Sequence, residues 1–267
     1  MRRLTTLASI FVGAAALVLA PMTYAGKPEV KGSLANGKKI FSEGKGSVPA
    51  CNSCHGQSGL GDDNLGTPRL AGQVSQFLVK QLEDFANDRR QDTTMFVMNA
   101  NAKGLSAQDR RDVAAYLSSL GEELHAVRTI MGSKQLVDKD AGSNLKELAA
   151  NGVQIGKRYL GKAVVNYGAP ERGIPACKSC HGYNGRGVDP IYPKIGGQRF
   201  TYIENQLKKF RDGSRANDPM SQMQVVARKL SDEDIANLAT FLTSAPPTNM
   251  GNTRVPEQHP YMTFDTN

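Results

Sequence analysis

Apolar positions recur along this chain with a helical period, and they do so twice. Val74, Phe77, Leu78, Leu82 and Phe85 fall three and four residues apart, the stripe that one buried helix face requires. Tyr202, Ile203, Leu207 and Phe210 repeat that stripe in the second half. A second pair of helices is predicted to start at Ser106 and Ser231. Each serine has an aspartate three residues on, Asp109 and Asp234, in the manner of a capping box. Val113, Tyr116, Leu117 and Leu120 make the buried face of the first, and Leu238, Phe241 and Leu242 that of the second. Shorter helices are expected over Leu34–Ser42 and Leu145–Leu160. No run alternates with the period of a strand. The chain therefore reads as all-α, with long loops that hold Gly and Pro.

The duplication is explicit in the letters. "PACNSCHGQSG" at 49–59 returns as "PACKSCHGYNG" at 175–185, a step of 126. Beyond it the step is 125: Pro68 pairs with Pro193, Gly72-Gln73 with Gly197-Gln198, Met95 and Met98 with Met220 and Met223. The unit is a small domain. The expected division is 26–120, a connection over 121–147, 148–245, and a polar tail over 246–267. Within each unit the helices are few and short for a full core, so a large apolar cofactor is expected to complete it.

Arg2 and Arg3, the apolar run Leu7 to Ala20 and the small residues Thr23 and Ala25 have the layout of a cleaved export signal over residues 1–25. The apolar run is shorter than the ~20 residues of a bilayer span. An exported chain from Gly26 onward is expected. The formal net charge of +8 falls to +6 without Arg2 and Arg3. Lys and Arg are interleaved with acids rather than gathered with aromatics, which argues against nucleic acid as a partner. The charge is uneven. Residues 26–120 carry 12 basic and 10 acidic side chains, residues 151–244 carry 14 and 8, so the second unit is the expected docking face for an acidic partner.

All four cysteines lie in the repeated motif: Cys51, Cys54 and His55, then Cys177, Cys180 and His181. Cys-x-x-Cys-His is the attachment signature of c-type haem. Two thiols one helical turn apart tether the porphyrin through its vinyl groups, and the next residue offers its imidazole to the iron. Two covalent haems are expected, with His55 and His181 as proximal ligands. A zinc site needs further ligands in compact spacing, and only His125 and His259 remain outside the motifs. A thioredoxin-like pair belongs in a βαβ pattern, which is absent. For the sixth position an axial Met is usual in electron-carrying cytochromes. Each half offers two, Met95 or Met98 and Met220 or Met223.

The layout resembles the dihaem cytochrome c4 family. The resemblance rests on "CNSCHG", "PRLAGQ", "FLVKQLEDF" and "LSAQD" in the first half. In the second it rests on "CKSCHG", "PKIGGQ", "YIENQLKKFRDGSRANDPMSQM" and "LSDEDI". It covers roughly 34–120 and 148–244. It implies tandem cytochrome c-like domains, each wrapped around one haem. The family's axial Met lies seven residues before the Leu-Ser of the last helix, which selects Met98 and Met223. Its proline carbonyl, which orients the proximal histidine, falls on Pro68 and Pro193. The chain departs from the family in its long connection from Gly121 to Leu145, which contains His125 and Met131 and reads as a surface loop. It also departs in an apparent insertion of about seven residues within Val164–Ile174 and in the polar tail.

The implied function is that of a periplasmic carrier. It would pass single electrons from respiratory-chain or dehydrogenase donors to a terminal oxidase or reductase. The partners implied are redox proteins: a membrane oxidase, a cytochrome bc complex or a periplasmic dehydrogenase. Contact with the membrane would come only through such a partner. Cytochromes of this type also serve as dedicated subunits of a dehydrogenase. A dihaem enzyme of the peroxidase or thiosulfate-oxidising kind would need an open sixth site, whereas both repeats offer the same Met. No other cluster in the sequence looks catalytic.

Overall fold

The computed structural model describes residues 31–92, 96–131 and 143–245, with only the helical backbone described over 121–131. The export signal, Met95 and the polar tail lie outside the described residues. The described elements are helical, with a few isolated bridges in the loops.

In the first half α1 (Leu34–Glu43) and α5 (Ala107–Met131) cross at close range. Gly37 makes the crossing possible: a Cβ there would lie 2.1 Å from the Asp112 carbonyl oxygen. Ser33 caps α1 through its side chain, and Gly44 ends it with φ 80°. Between these helices run α2 (Asn52–His55), α3 (Ser75–Ala86) and α4 (Val97–Lys103). Ile40, Phe41, Val48, Leu78, Leu105, Val113 and Leu117 form the core that joins them.

The second half repeats this plan. α7 (Arg158–Tyr167) crosses α11 (Asp232–Ser244) at Gly161, where a Cβ would lie 2.0 Å from the Asn237 carbonyl oxygen. α8 (Lys178–His181), α9 (Phe200–Asp212) and α10 (Gln222–Ala227) fill the positions of α2, α3 and α4. Its core is separate and gathers Val165, Phe200, Ile203, Leu230, Ile235, Leu238, Phe241 and Leu242.

Three expectations need correction. The helix expected over Leu145–Leu160 is split into α6 (Leu145–Ala150) and the start of α7. Gly152, at φ 83°, turns the chain out of α6, and Gly156 then presses against the backbone of α11, where a Cβ would lie 2.4 Å from Ala236 C. The extended piece between them covers the outer face of α11, with Gly156 N–H donating to Thr240 Oγ1 at 2.9 Å. With α7 in register with α1, the apparent seven-residue insertion shrinks. Gly44 to Cys51 is seven positions and Gly168 to Cys177 is nine, so the second loop is longer by two. The connection expected from Gly121 also begins as helix, because α5 continues through Met131.

The halves meet in a reciprocal interface. Gln198 Oε1 accepts from Arg69 N–H at 2.7 Å, and Gln73 Oε1 accepts from Lys194 N–H at 2.7 Å. Gln73 and Gln198 are 125 apart, as are Arg69 and Lys194. Each contact therefore has its partner with the halves exchanged, the pattern of a two-fold interface. Arg199 adds a bond to the Leu60 carbonyl at 2.7 Å, and the Thr201 N–H donates to Asp63 Oδ1 at 3.1 Å.

Candidate haem-binding sites

Each cysteine motif folds as one helical turn. The N–H groups of Cys54 and His55 donate to the Cys51 carbonyl at 3.3 and 3.0 Å, and those of Cys180 and His181 to the Cys177 carbonyl at 3.3 and 2.9 Å. The two sulfurs of each motif are thus one turn apart, on the same side. Cys54 and Cys180 are exposed, while Cys51 and Cys177 lean on the two cores. Burial pushes the Cys51 and Cys177 thiols up to about 11. None of the four forms a disulfide. Among the described residues no three His, Cys, Asp or Glu side chains converge as a metal cluster.

The histidines are held alike. His55 Nδ1 donates to the Pro68 carbonyl at 3.1 Å, and His181 Nδ1 to the Pro193 carbonyl at 2.9 Å. A carbonyl only accepts, so Nδ1 carries the proton and the lone pair sits on Nε2, the tautomer a metal requires. Burial lowers the pKa of both rings against the raising effect of these carbonyls, which keeps them neutral. The loop closes because the N–H groups of Gly61 and Gly187 cap the histidine carbonyls at 2.8 and 2.7 Å. Gly61 has φ 73°, and a Cβ there would meet Pro68 C at 2.5 Å.

Met98 and Met223 occupy the first turns of α4 and α10, and both are half-buried. A left-handed residue opens each helix, Phe96 at φ 56° and Ser221 at φ 55°. A carboxylate fixes each turn: Asp92 accepts from the Met98 N–H at 3.3 Å and Asp218 from the Met223 N–H at 2.7 Å. Strain repeated at one place in both halves marks a site that must be shaped. Met220 is 89% exposed, so its side chain stands apart from the second core.

The sequence reading passed over a buried cluster between the halves. Arg90 donates to Gln81 Oε1 at 2.7 Å, to Gln206 Oε1 at 2.9 Å and to the Tyr202 hydroxyl at 3.0 Å. Arg215 donates to Gln206 Oε1 at 2.8 Å and Gln81 Oε1 at 3.2 Å. Both arginines are buried, and among the described residues neither has a carboxylate in ion-pair contact. Burial, with Arg90 next in weight, drives Arg215 down to about 9. Against its own burial, Tyr202 is held below the usual phenol range by the two guanidiniums. One signal could have found the cluster: Arg90 and Arg215, like Gln81 and Gln206, are 125 apart.

The donor set fits haem. The paired sulfurs, the neutral imidazole with a free Nε2 lone pair and the half-buried thioether recur in each half. Phe77, Leu82 and Leu207, on faces the sequence predicts to be buried, stay only half-buried among the chain's own atoms, as suits a fold completed by an apolar group.

Comparisons with known proteins agree. The family model for cytochrome c matches residues 34–121 and again 161–246. The chain is 35% identical over 197 residues to a thiosulfate dehydrogenase electron acceptor of Thiomonas intermedia, covering 74% of this chain and 79% of that one. It is 31% identical over 211 residues to cytochrome c4 of Pseudomonas aeruginosa, covering 78% and 90%. The structure of reduced cytochrome c4 from Pseudomonas stutzeri aligns with a TM-score of 0.61 at 28% identity, over 81% of this chain and all of that one. The thiosulfate dehydrogenase TsdBA of Marichromatium purpuratum aligns at 0.65 and 28% identity, over 80% of this chain but only 40% of the longer one. With two tandem matches and two complete attachment motifs, the chain binds two haem c groups covalently and belongs to the cytochrome c family, as a dihaem member of the c4 type.

Proposed function

We propose that this protein is a periplasmic electron carrier that accepts electrons from a dehydrogenase of the thiosulfate-oxidising kind and delivers them to a membrane oxidase or reductase. One observation supports the carrier role above the others. The whole ligand scaffold is present twice, from the His–Pro bond to the half-buried Met on its carboxylate-capped turn. When bound, the haem supplies the one-electron couple; the chain supplies ligation, burial and docking. His55 and His181, together with Met98 and Met223, would hold the two irons. A ligand pair kept through both oxidation states leaves little to rearrange with each electron. The buried guanidiniums of Arg90 and Arg215 suit the carboxylates that haem brings.

The donor is supported by the relative from Thiomonas intermedia, whose name makes it an acceptor for thiosulfate dehydrogenase. Oxidative coupling of two thiosulfate anions releases two electrons, one for each haem. The cytochrome c4 relatives favour a second reading, a general carrier with several donors. Among the described residues no helix is long and apolar enough to cross a membrane.

The test uses the oxidised holoprotein. Thiosulfate alone should leave it oxidised, and thiosulfate with a catalytic amount of thiosulfate dehydrogenase should reduce both haems. Reduction by a cytochrome bc complex but not by the dehydrogenase supports the general carrier. Reduction by thiosulfate alone, with tetrathionate formed, overturns the carrier reading. Met98→Ala and Met223→Ala should each remove about half of the weak red ferric band of Met-ligated iron and admit carbon monoxide at one reduced haem. Carbon monoxide binding to the unmutated protein would show that one iron is open.

A further inference from the structure

The peptide group that holds each proximal histidine is itself held from the other half of the molecule. His55 Nδ1 donates to the Pro68 carbonyl at 3.1 Å. The N–H of that same peptide group belongs to Arg69, and it donates to Gln198 Oε1 at 2.7 Å. The second half mirrors it. His181 Nδ1 donates to the Pro193 carbonyl at 2.9 Å, and the Lys194 N–H donates to Gln73 Oε1 at 2.7 Å. Each amide returns a bond, Gln198 Nε2 to the Arg69 carbonyl at 3.0 Å and Gln73 Nε2 to the Lys194 carbonyl at 2.8 Å. Both glutamines are buried, and each is steadied at home by the N–H of its next residue, Val74 or Arg199, at 2.9 Å.

We propose that Gln73 and Gln198 are crossed positioning residues, each setting the donor strength of the proximal histidine in the opposite domain. The physical route is polarisation along a chain of hydrogen bonds. A peptide whose N–H is engaged carries more negative charge on its oxygen, and successive bonds reinforce one another in a buried setting. The carbonyl of Pro68 then draws harder on the Nδ1 proton of His55. The imidazole becomes a more electron-rich ligand, as partners of ligating histidines do in general. That favours ferric iron and lowers the potential, because hydrogen bonding around the ligand is one of the protein's levers on haem. Removing Gln198 should therefore raise the potential of the haem on His55, in the domain that does not contain Gln198. A glutamine that served only to cement the interface would disturb both haems alike, or the haem of its own domain first.

The inference rests on the two covalent haems and not on the identity of any partner, so its failure would leave the carrier reading intact. The experiment takes the full-length holoprotein, Gln198→Leu and Gln73→Leu. Each haem is titrated separately through its own assigned methyl resonances. The Nδ1 proton of each proximal histidine is then followed in the reduced, diamagnetic state. In Gln198→Leu the potential of the haem on His55 should rise and the His55 Nδ1 proton should move upfield, with the haem on His181 unmoved. Gln73→Leu should do the converse. Gln198→Glu keeps an acceptor oxygen in place and adds charge, so it should lower the potential of the haem on His55. It decides the question if the leucine variants fail to load haem. Shifts in the glutamine's own domain, equal shifts in both, or no shift would overturn the proposal.

Discussion

The two halves hold their histidines and methionines in nearly the same way, yet they cover their last helices differently. What repeats is the Cys turn, the glycine that caps the histidine carbonyl, the His–Pro bond, the left-handed residue before the Met turn and the glycine at the helix crossing. What differs lies further out. The turn before the cysteines is bridged at Lys45–Val48 in the first half and at Ala169–Ile174 in the second. Ahead of the proline stands Thr67 in one half and Tyr192 in the other, where the tyrosine ring meets His181 edge-on at 6.0 Å. Among the described residues the second half lays the longer segment over its last helix, with Ser143 N–H and Gly156 N–H bonded to Thr243 and Thr240, while the first half shows its counterpart at Gly32, where a Cβ would lie 2.5 Å from the Arg111 carbonyl oxygen. That covering buries α11 on nearly every side from Ile235 to Thr243. The geometry around the proposed iron ligands tolerates little change, whereas stability can be supplied by whichever segment is at hand.

The sharpest way to test that equivalence is at the helix crossings. Gly37→Ala and Gly161→Ala both force a methyl group to within about 2 Å of a carbonyl oxygen. Overpacking with movable side chains costs about 1–3 kcal/mol. Here backbone meets backbone, so each variant is expected to cost more than that. Haem content per chain and thermal unfolding are the readouts, and each variant should lose the haem of its own half. If Gly161→Ala is well tolerated, the extra cover on α11 compensates for the crossing, and the halves are not equivalent there.

A smaller effect is expected at the surface, where the halves part company. Lys178 and Arg186 flank the exposed Cys180 turn, and the residues 126 before them are Asn52 and Leu60. An acidic partner should therefore dock over the second haem. Lys178→Glu with Arg186→Glu should slow electron transfer about tenfold at low salt, with the difference fading as salt screens it. Asn52→Glu should change the rate little. Equal sensitivity of both faces, or a wild-type rate independent of ionic strength, would count against docking by the second half.

Much of this was legible in the sequence because the signal was doubled. Helical spacing placed α3, α9, α5 and α11, and the repeated Cys-x-x-Cys-His fixed both attachment turns. The misreading at Leu145–Leu160 has a local cause. Leu145, Leu148 and Leu160 suit a helix, but Gly152 takes a left-handed turn and Gly156 approaches another backbone too closely for any side chain. The interface was not legible for a different reason. Gln73, Gln198, Arg90 and Arg215 each look like ordinary surface polar residues in one unit. Their burial arises only when the two units meet, and the repeat by itself does not say how they meet.

The smallest effect separates the two capping boxes. Ser106 and Asp109 exchange bonds at the start of α5, as Ser231 and Asp234 do at α11. A cation from the turn before the cysteines clamps each carboxylate, Lys45 on Asp109 at 2.7 Å and Arg172 on Asp234 at 2.6 Å. Removing such a cap costs about 1 kcal/mol, which lowers the melting point of a small domain by about 4–8 °C. Ser106→Ala and Ser231→Ala should both show this at pH 7. Acid should weaken both clamps. Although burial alone would raise it, Asp109 is brought down to about 2 by Lys45, Ser106 and Asn36. Asp234 is also lowered, against its burial, by Arg172 and Ser231. A depressed carboxylate stabilises the fold above its unfolded pKa of ~3.9, and that contribution is lost as pH falls through the folded value. For Asp109 the window runs from about pH 4 down to about 2. Asp109→Asn should therefore be less stable than wild type at pH 7 and should converge with it as the pH approaches 2. Thermal melts of the holoprotein at stepped pH provide the comparison. A deficit that stays constant down to pH 2 would mean that the amide harms packing rather than charge, and that Lys45 does not hold the first half together as Arg172 holds the second.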